Sequence, residues 1–271
     1  MMMEDKTIIS AISLNSYNSI CNDVIDYMLS FQSSDPLIHL NYALKREHIH
    51  RVVNYSELLA KSIECEDDVL LLSKLAALLH DIGRFDQFQK YQTFNDFISE
   101  DHAEIAVQLI NAHKWLKDLS EENQTNLIKA VSFHNKIAIP KNERPEVTLL
   151  SQILRDADKL DILDLAVKEY SNQNKNRNNS FTLDLENSST ISKLIAKSFI
   201  AEKLPNKSDM KTITDFKLIQ MAFVFDLNLR ESFSIVNKKG YLKQLFETMP
   251  KSDQIFELYR KAKIHVENRL I

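Results

Sequence analysis

Glycine is nearly missing from this chain, with two in 271 residues and only five prolines beside them. Tight hairpin turns draw on both residue types. Period-two alternation of apolar and polar side chains is scarce as well, which excludes an ordinary β-sandwich or barrel. Cysteine is equally sparse: Cys21 and Cys65 lie far apart, without the spacing of a zinc knuckle or a redox pair, so no disulfide framework is expected and a reducing compartment is. No segment reaches the ~20 apolar residues of a membrane helix. Residues Met1 to Ser10 carry Glu4, Asp5 and Lys6 rather than a basic leader before an apolar core, so the expectation is a cytoplasmic protein with no membrane partner. A formal charge of −4 and a pI near 6.1 provide no general field for nucleic acid, and any phosphate must be held by local cations.

What is abundant is Leu, Ile, Ala, Lys and Glu at helical spacing, and the expected fold class is all-α. At 44% hydrophobic the chain can bury a substantial core, and no repeat or composition shift divides it. The expectation is one domain over 1–271: a core at about 44–170, a flanking helix at 16–32 built on Ile20, Val24, Ile25, Met28 and Leu29, and a helical extension at 188–271. Ser171 to Ser180 contains no apolar residue and is expected to be a flexible loop.

The stretch Leu75 to Phe88 stands out. An apolar run that reads as a buried helix ends in His80-Asp81, and Gly83 then turns the chain. Burying those two polar groups unpaired would cost several kcal/mol. A metal ion compensates a neutral imidazole beside a carboxylate, whereas an ordinary helix C-terminus would place His80 near the last carbonyls. Upstream, His48 and Arg51 share one face of a helical pattern opened at Leu44; His50 points elsewhere and would replace His48 only on a rotated helix. Downstream, Ser99-Glu100-Asp101-His102 reads as a helix start with Ser99 as cap, and His134 closes another helix. Asp156 and Asp158 stand in a strongly apolar helix from Leu149 to Val167, two apart and therefore on different faces.

The order His48, then His80-Asp81, then Asp158 within Ala157-Asp158-Lys159-Leu160-Asp161, resembles the HD superfamily of metal-dependent phosphohydrolases over roughly residues 44 to 170. Within that resemblance the fold implied is the HD helical bundle with additional C-terminal helices, and His102 and His134 look like the extra ligands of its dinuclear members. His80 to Ala103, with Arg84-Phe85 after the glycine and Thr93-Phe94-Asn95 before the next histidine, is similar to a group of bacterial HD-domain proteins. The implied metal ligands are His48, His80, Asp81, His102, His134 and Asp158. Six are too many for one open ion and suit two, with Asp81 as the bridge. The implied cofactors are therefore one or two divalent ions of iron, manganese, cobalt, nickel or zinc.

The function implied is hydrolysis of a phosphoester or phosphoanhydride, expected in a nucleotide, by a metal-activated water. Asp81 serves that chemistry from the metal site, while Lys159 and Arg84 are the expected phosphate contacts. A mixed-valence di-iron oxygenase with the same ligand order, and a non-catalytic nucleotide-binding module, are the alternatives. The acidic motif of the alarmone hydrolases and the Gly-Tyr-Pro motif of the cyclic di-guanylate hydrolases are both missing.

Overall fold

The computed structural model describes residues 11–171 and 185–271, so the N-terminal segment and nearly all of the 171–180 stretch lie outside the described residues. Among them the structure is all-α, with no strand and one isolated bridge between Glu186 and Thr212. None of its helices is long and apolar enough to cross a membrane. Two compact units emerge, Met1–Ala157 and Asp158–Ile271.

In the first unit, α1 (Leu14–Ser30) starts where the Ser13 hydroxyl accepts the Ser16 amide. Next, α2 (Pro36–Ser62) is capped by Asp35, with Pro36 fixing its first turn. It begins eight residues before the expected opening at Leu44, because this cap sits at the proline. α3 (Asp67–Leu79) carries Asp67 and Asp68 in its first turn, which favours the positive end of the helix dipole. Its Leu72, Leu75, Ala76, Ala77 and Leu79 are all fully buried. This central helix packs against α1, α2 and α6 (Glu121–Phe133).

The segment after Asp81 forms a further helix, α4 (Gly83–Tyr91), packed on α5 (His102–His113). Gly83 does not make the turn expected of it, because it lies within the helical run as the first residue of α4. Its lack of a side chain serves close packing: a methyl group there would strike the His102 carbonyl and the Ala106 amide nitrogen. Phe85 and Phe88 fill the space beneath α2 against Tyr42, and Phe31 also meets Phe85. Phe97, by contrast, is exposed. Finally, α7 (Pro145–Ser171) runs past Ala157, where the two units divide.

Among the described residues, the second unit contains the rest of α7 and five more α-helices. These are α8 (Lys193–Ile200), α9 (Ile213–Met221), α10 (Arg230–Lys239), α11 (Tyr241–Glu247) and α12 (Asp253–Asn268). Thr212 and Asp215 cap α9 reciprocally. After α9 the chain tightens into a 3₁₀ segment at Ala222–Asp226. Gly240 closes α10 at φ +65°, a conformation that suits glycine. His265 is half-buried. It pairs with Glu202 and lies edge-on to Phe225, because α12 packs against the 222–226 segment.

Candidate metal centre

Each imidazole is delivered by a helix end or a buried helix face. His48 lies on the buried side of α2, and its neighbour in sequence, His50, is exposed. His80 and Asp81 directly follow the last residue of α3. His102 opens α5, and His134 caps the end of α6. The cap of α5 is Asp101 and not Ser99: the Ser99 hydroxyl is taken by the Asn95 carbonyl and the Gln87 amide, while the Asp101 carboxylate accepts the Ala103 amide.

The five side chains converge and are all buried. Among the described residues, two fully buried groups could hold an ion, His48 with His80 and Asp81, and Asp81 with His102 and His134; a third, Asp96, Asp101 and His102, is only partly buried. The two oxygens of Asp81 divide between the first two. Oδ2 lies 3.5 Å from His48 Nε2 and 4.0 Å from His80 Nε2. Oδ1 lies 3.3 Å from His102 Nε2, which is itself 2.9 Å from His134 Nε2. Across the first group, His48 Nε2 and His80 Nε2 are 3.4 Å apart.

The far ring nitrogens decide what these contacts mean. His80 Nδ1 is 2.7 Å from the Ala77 carbonyl and His134 Nδ1 is 2.6 Å from the Val131 carbonyl. A carbonyl only accepts, so both Nδ1 atoms carry a proton, and in the neutral ring each Nε2 offers its lone pair. His102 Nδ1 donates in the same way to the Asp96 carboxylate at 2.8 Å. Burial first, and then the Arg84 cation, push the His102 imidazole below its ordinary value, against the pull of Asp96 and Asp81. In their neutral forms His102 and His134 would aim two lone pairs at each other over 2.9 Å. Such a pair is repulsive without a cation, and imidazole nitrogens held from behind by a carboxylate or a carbonyl are how proteins present ligands to metals.

Asp81 completes the set as an anion. Burial would raise its carboxyl, but Lys45, His80, Arg84 and His102 together more than offset this and hold it well below the usual carboxylate range. A buried carboxylate whose two oxygens face two imidazole pairs has the donor chemistry of a bridging ligand for divalent transition ions.

Residues 46–163 match the sequence model of the HD domain. The chain carries an HD domain. Neither the curated proteins nor the solved structures contain a match to it. The match covers 118 of the 271 residues, and the His/Asp groups within it could hold metal ions.

The other sequence candidates sit as follows. Asp158 is half-buried on α7 at the first position of the second unit. Lys159 is buried, with Nζ 2.8 Å from Asp226 Oδ2. Arg84 spends much of its fork within the HD domain: Nε reaches Asp81 Oδ1 at 3.4 Å, and Nη1 meets Gln87, the Phe94 carbonyl and Asp96, each at 2.7 Å. Asp156 and Arg155 are fully buried, the latter with its guanidinium on the carbonyls of Phe133, His134, Lys136 and Ile137. Arg155 thus fixes the chain around His134.

Three residues of the site were not anticipated. Lys45 contacts Asp81, and it stands three residues before His48 on the same helix face, a spacing visible in the sequence. Asp96 anchors His102 and directly follows the Thr93-Phe94-Asn95 triplet, whose Thr93 and Asn95 side chains accept amides two residues on. Gln87 is fully buried and donates to Asp96, Ser99 and the Glu100 carbonyl, and no sequence pattern marks it.

Proposed function

We propose that this protein is a dinuclear metal-dependent phosphohydrolase that cleaves a phosphoester or phosphoanhydride bond of a phosphorylated small molecule, a nucleotide first among these. The observation that carries the reading is the division of Asp81: one oxygen toward His48 and His80, the other toward His102 and His134. His48, His80 and Asp81 are assigned to one ion, and Asp81, His102 and His134 to the other. Ions held there would supply an activated water for attack on phosphorus and would neutralise charge gathering on the phosphoryl oxygens.

The chain's own residues do the rest. Asp96 keeps the proton of His102 on Nδ1 and so leaves Nε2 free to ligate. Ala77 and Val131 do the same for His80 and His134 through their carbonyls. Arg84 ties Asp81 to Asp96, and its Nη2, which makes no hydrogen bond among the described residues, is the atom assigned to a phosphate oxygen. Lys159 reaches phosphate in this reading only by leaving Asp226.

Elemental analysis of the purified protein, followed by phosphate release from a panel of nucleotides in air and under nitrogen, tests the proposal. Two ions per chain and release in both atmospheres, abolished by a chelator, are expected. Absence of bound metal, or a product formed only with oxygen, would sink it.

A further inference from the structure

We propose that Lys45 is an anion-binding residue of this site, parked on Asp81 until a metal ion claims that oxygen. The inference rests on the phosphohydrolase reading and adds a residue and a sequence of events to it.

Lys45 Nζ donates to Asp81 Oδ2 at 2.9 Å, and that oxygen is the one facing His48 and His80. An ion coordinated there would sit at roughly 2.0 to 2.2 Å from the oxygen. An ammonium group and a divalent ion cannot both take it at these distances, since they repel at close range in a buried setting. Metal loading therefore releases Lys45. Other cations of the first unit keep partners besides Asp81: Lys136 lies 2.5 Å from Asp101, Arg155 rests on backbone carbonyls, and Arg84 also holds Gln87, Asp96 and the Phe94 carbonyl. Lys45 differs from them, because among the described residues its partners are Asp81 and the ring of Phe94, over which Nζ lies at 5.0 Å.

Position supports the role. The Lys45 side chain is 21% exposed against 5% for Asp81, so it enters the cluster from the solvent edge. Its anchor on α2, one turn before His48, keeps the freed ammonium near the first ion. A mobile cation beside a metal, with its carboxylate taken, calls for an anion from outside, and a phosphoryl group approaching the ion supplies it.

The test compares wild type with Lys45→Met, which keeps the apolar stem, and Lys45→Arg, which keeps the charge. Calorimetry measures the affinity of the metal-free protein for Mn²⁺, and then the affinity of the Mn²⁺-loaded protein for inorganic phosphate. Lys45→Met is expected to bind Mn²⁺ about threefold to tenfold more tightly, its competitor gone, yet to bind phosphate about tenfold more weakly. Lys45→Arg should stay within about threefold of wild type for phosphate. Unchanged phosphate affinity in Lys45→Met overturns the proposal, and so does weaker Mn²⁺ binding, which would mean that Lys45 only props Asp81. Should Lys45→Met fail to fold without metal, the phosphate measurement is made on protein purified with Mn²⁺ present, where the ion compensates Asp81. A wild type that binds neither Mn²⁺ nor phosphate defeats the phosphohydrolase reading itself, and the role of Lys45 with it.

Discussion

The two halves of the metal centre are built on the same plan but secured differently. Each sets a pair of imidazoles against one oxygen of Asp81. In the His102 and His134 half, the ring nitrogens stand 2.9 Å apart, and His102 is backed by a carboxylate that Arg84 and Gln87 fix in turn. In the His48 and His80 half the nitrogens stand 3.4 Å apart, His80 is backed by a backbone carbonyl, and the shared oxygen also holds a lysine. The difference teaches that a carboxylate behind one imidazole raises its basicity and locks its orientation, while a neighbouring cation lowers the affinity of the other half for metal. The Asp96 half should fill first.

Removing the element common to both halves has the largest expected effect. Asp81→Ala should lose both ions and reduce phosphate release about a thousandfold or more, read by elemental analysis and turnover. Next, His102→Ala should take metal stoichiometry from two ions toward one while His48 and His80 keep theirs. If stoichiometry in this variant stays at the wild-type value, the two halves are not separate sites. Gly83→Ala should then cost about 2 to 3 kcal/mol of stability by overpacking, measured in denaturant. Its methyl would push the first turn of α5, so occupancy of the His102 half should fall while the other half is spared.

Asp96→Ala sharpens the comparison most directly. It should weaken one of two metal affinities by about 10- to 100-fold and leave the other unchanged, a split that titration calorimetry resolves. The smallest effect is a control outside the five-residue cluster. Asp164 in the second unit pairs with Tyr241, Lys168 and Lys239. Burial opposes ionisation there, but the Lys168 and Tyr241 hydrogen bonds and the lysine charges win, and its carboxyl is lowered. A lowered carboxyl contributes stability above its unfolded value near ~3.9 and loses that contribution as pH falls through the folded value. Asp164→Asn should therefore cost under about 1 kcal/mol at neutral pH, with the difference shrinking in acid and metal binding untouched.

How much of this was legible in the sequence depended on whether a residue's meaning lay in its own order or in its partner's. His48, His80, Asp81, His102 and His134 could be picked out because their order along helical segments is itself the pattern, and the all-α fold followed from scarce turn formers. Asp96 could not, since its partner is six residues on, across an irregular stretch shaped by the Thr93 and Asn95 turns. Arg84 looked like a free fork, and only the fold shows Asp96, Gln87 and the Phe94 carbonyl closing on it. Gly83 offered a different difficulty. A turn and a close backbone approach both call for glycine, and only the position of α5 separates them. The division at Ala157 falls inside a continuous helix, where no proline or glycine marks it and the charged stretch Arg155 to Asp161 runs through it.

The two imidazole pairs also span equal stretches of chain, since His48 and His80 are 32 residues apart and so are His102 and His134. In a protein with two unpaired cysteines, coordination would be its only long-range cross-link chemistry, and each ion would close a loop of that size. A covalent bridge across such a loop is worth about 3.5 to 4 kcal/mol through the unfolded chain. An ion confers this reversibly and in proportion to the logarithm of its concentration. The lifetime of the folded chain would then track free metal: long where the ion is plentiful, and shortened toward proteolysis where it is withdrawn.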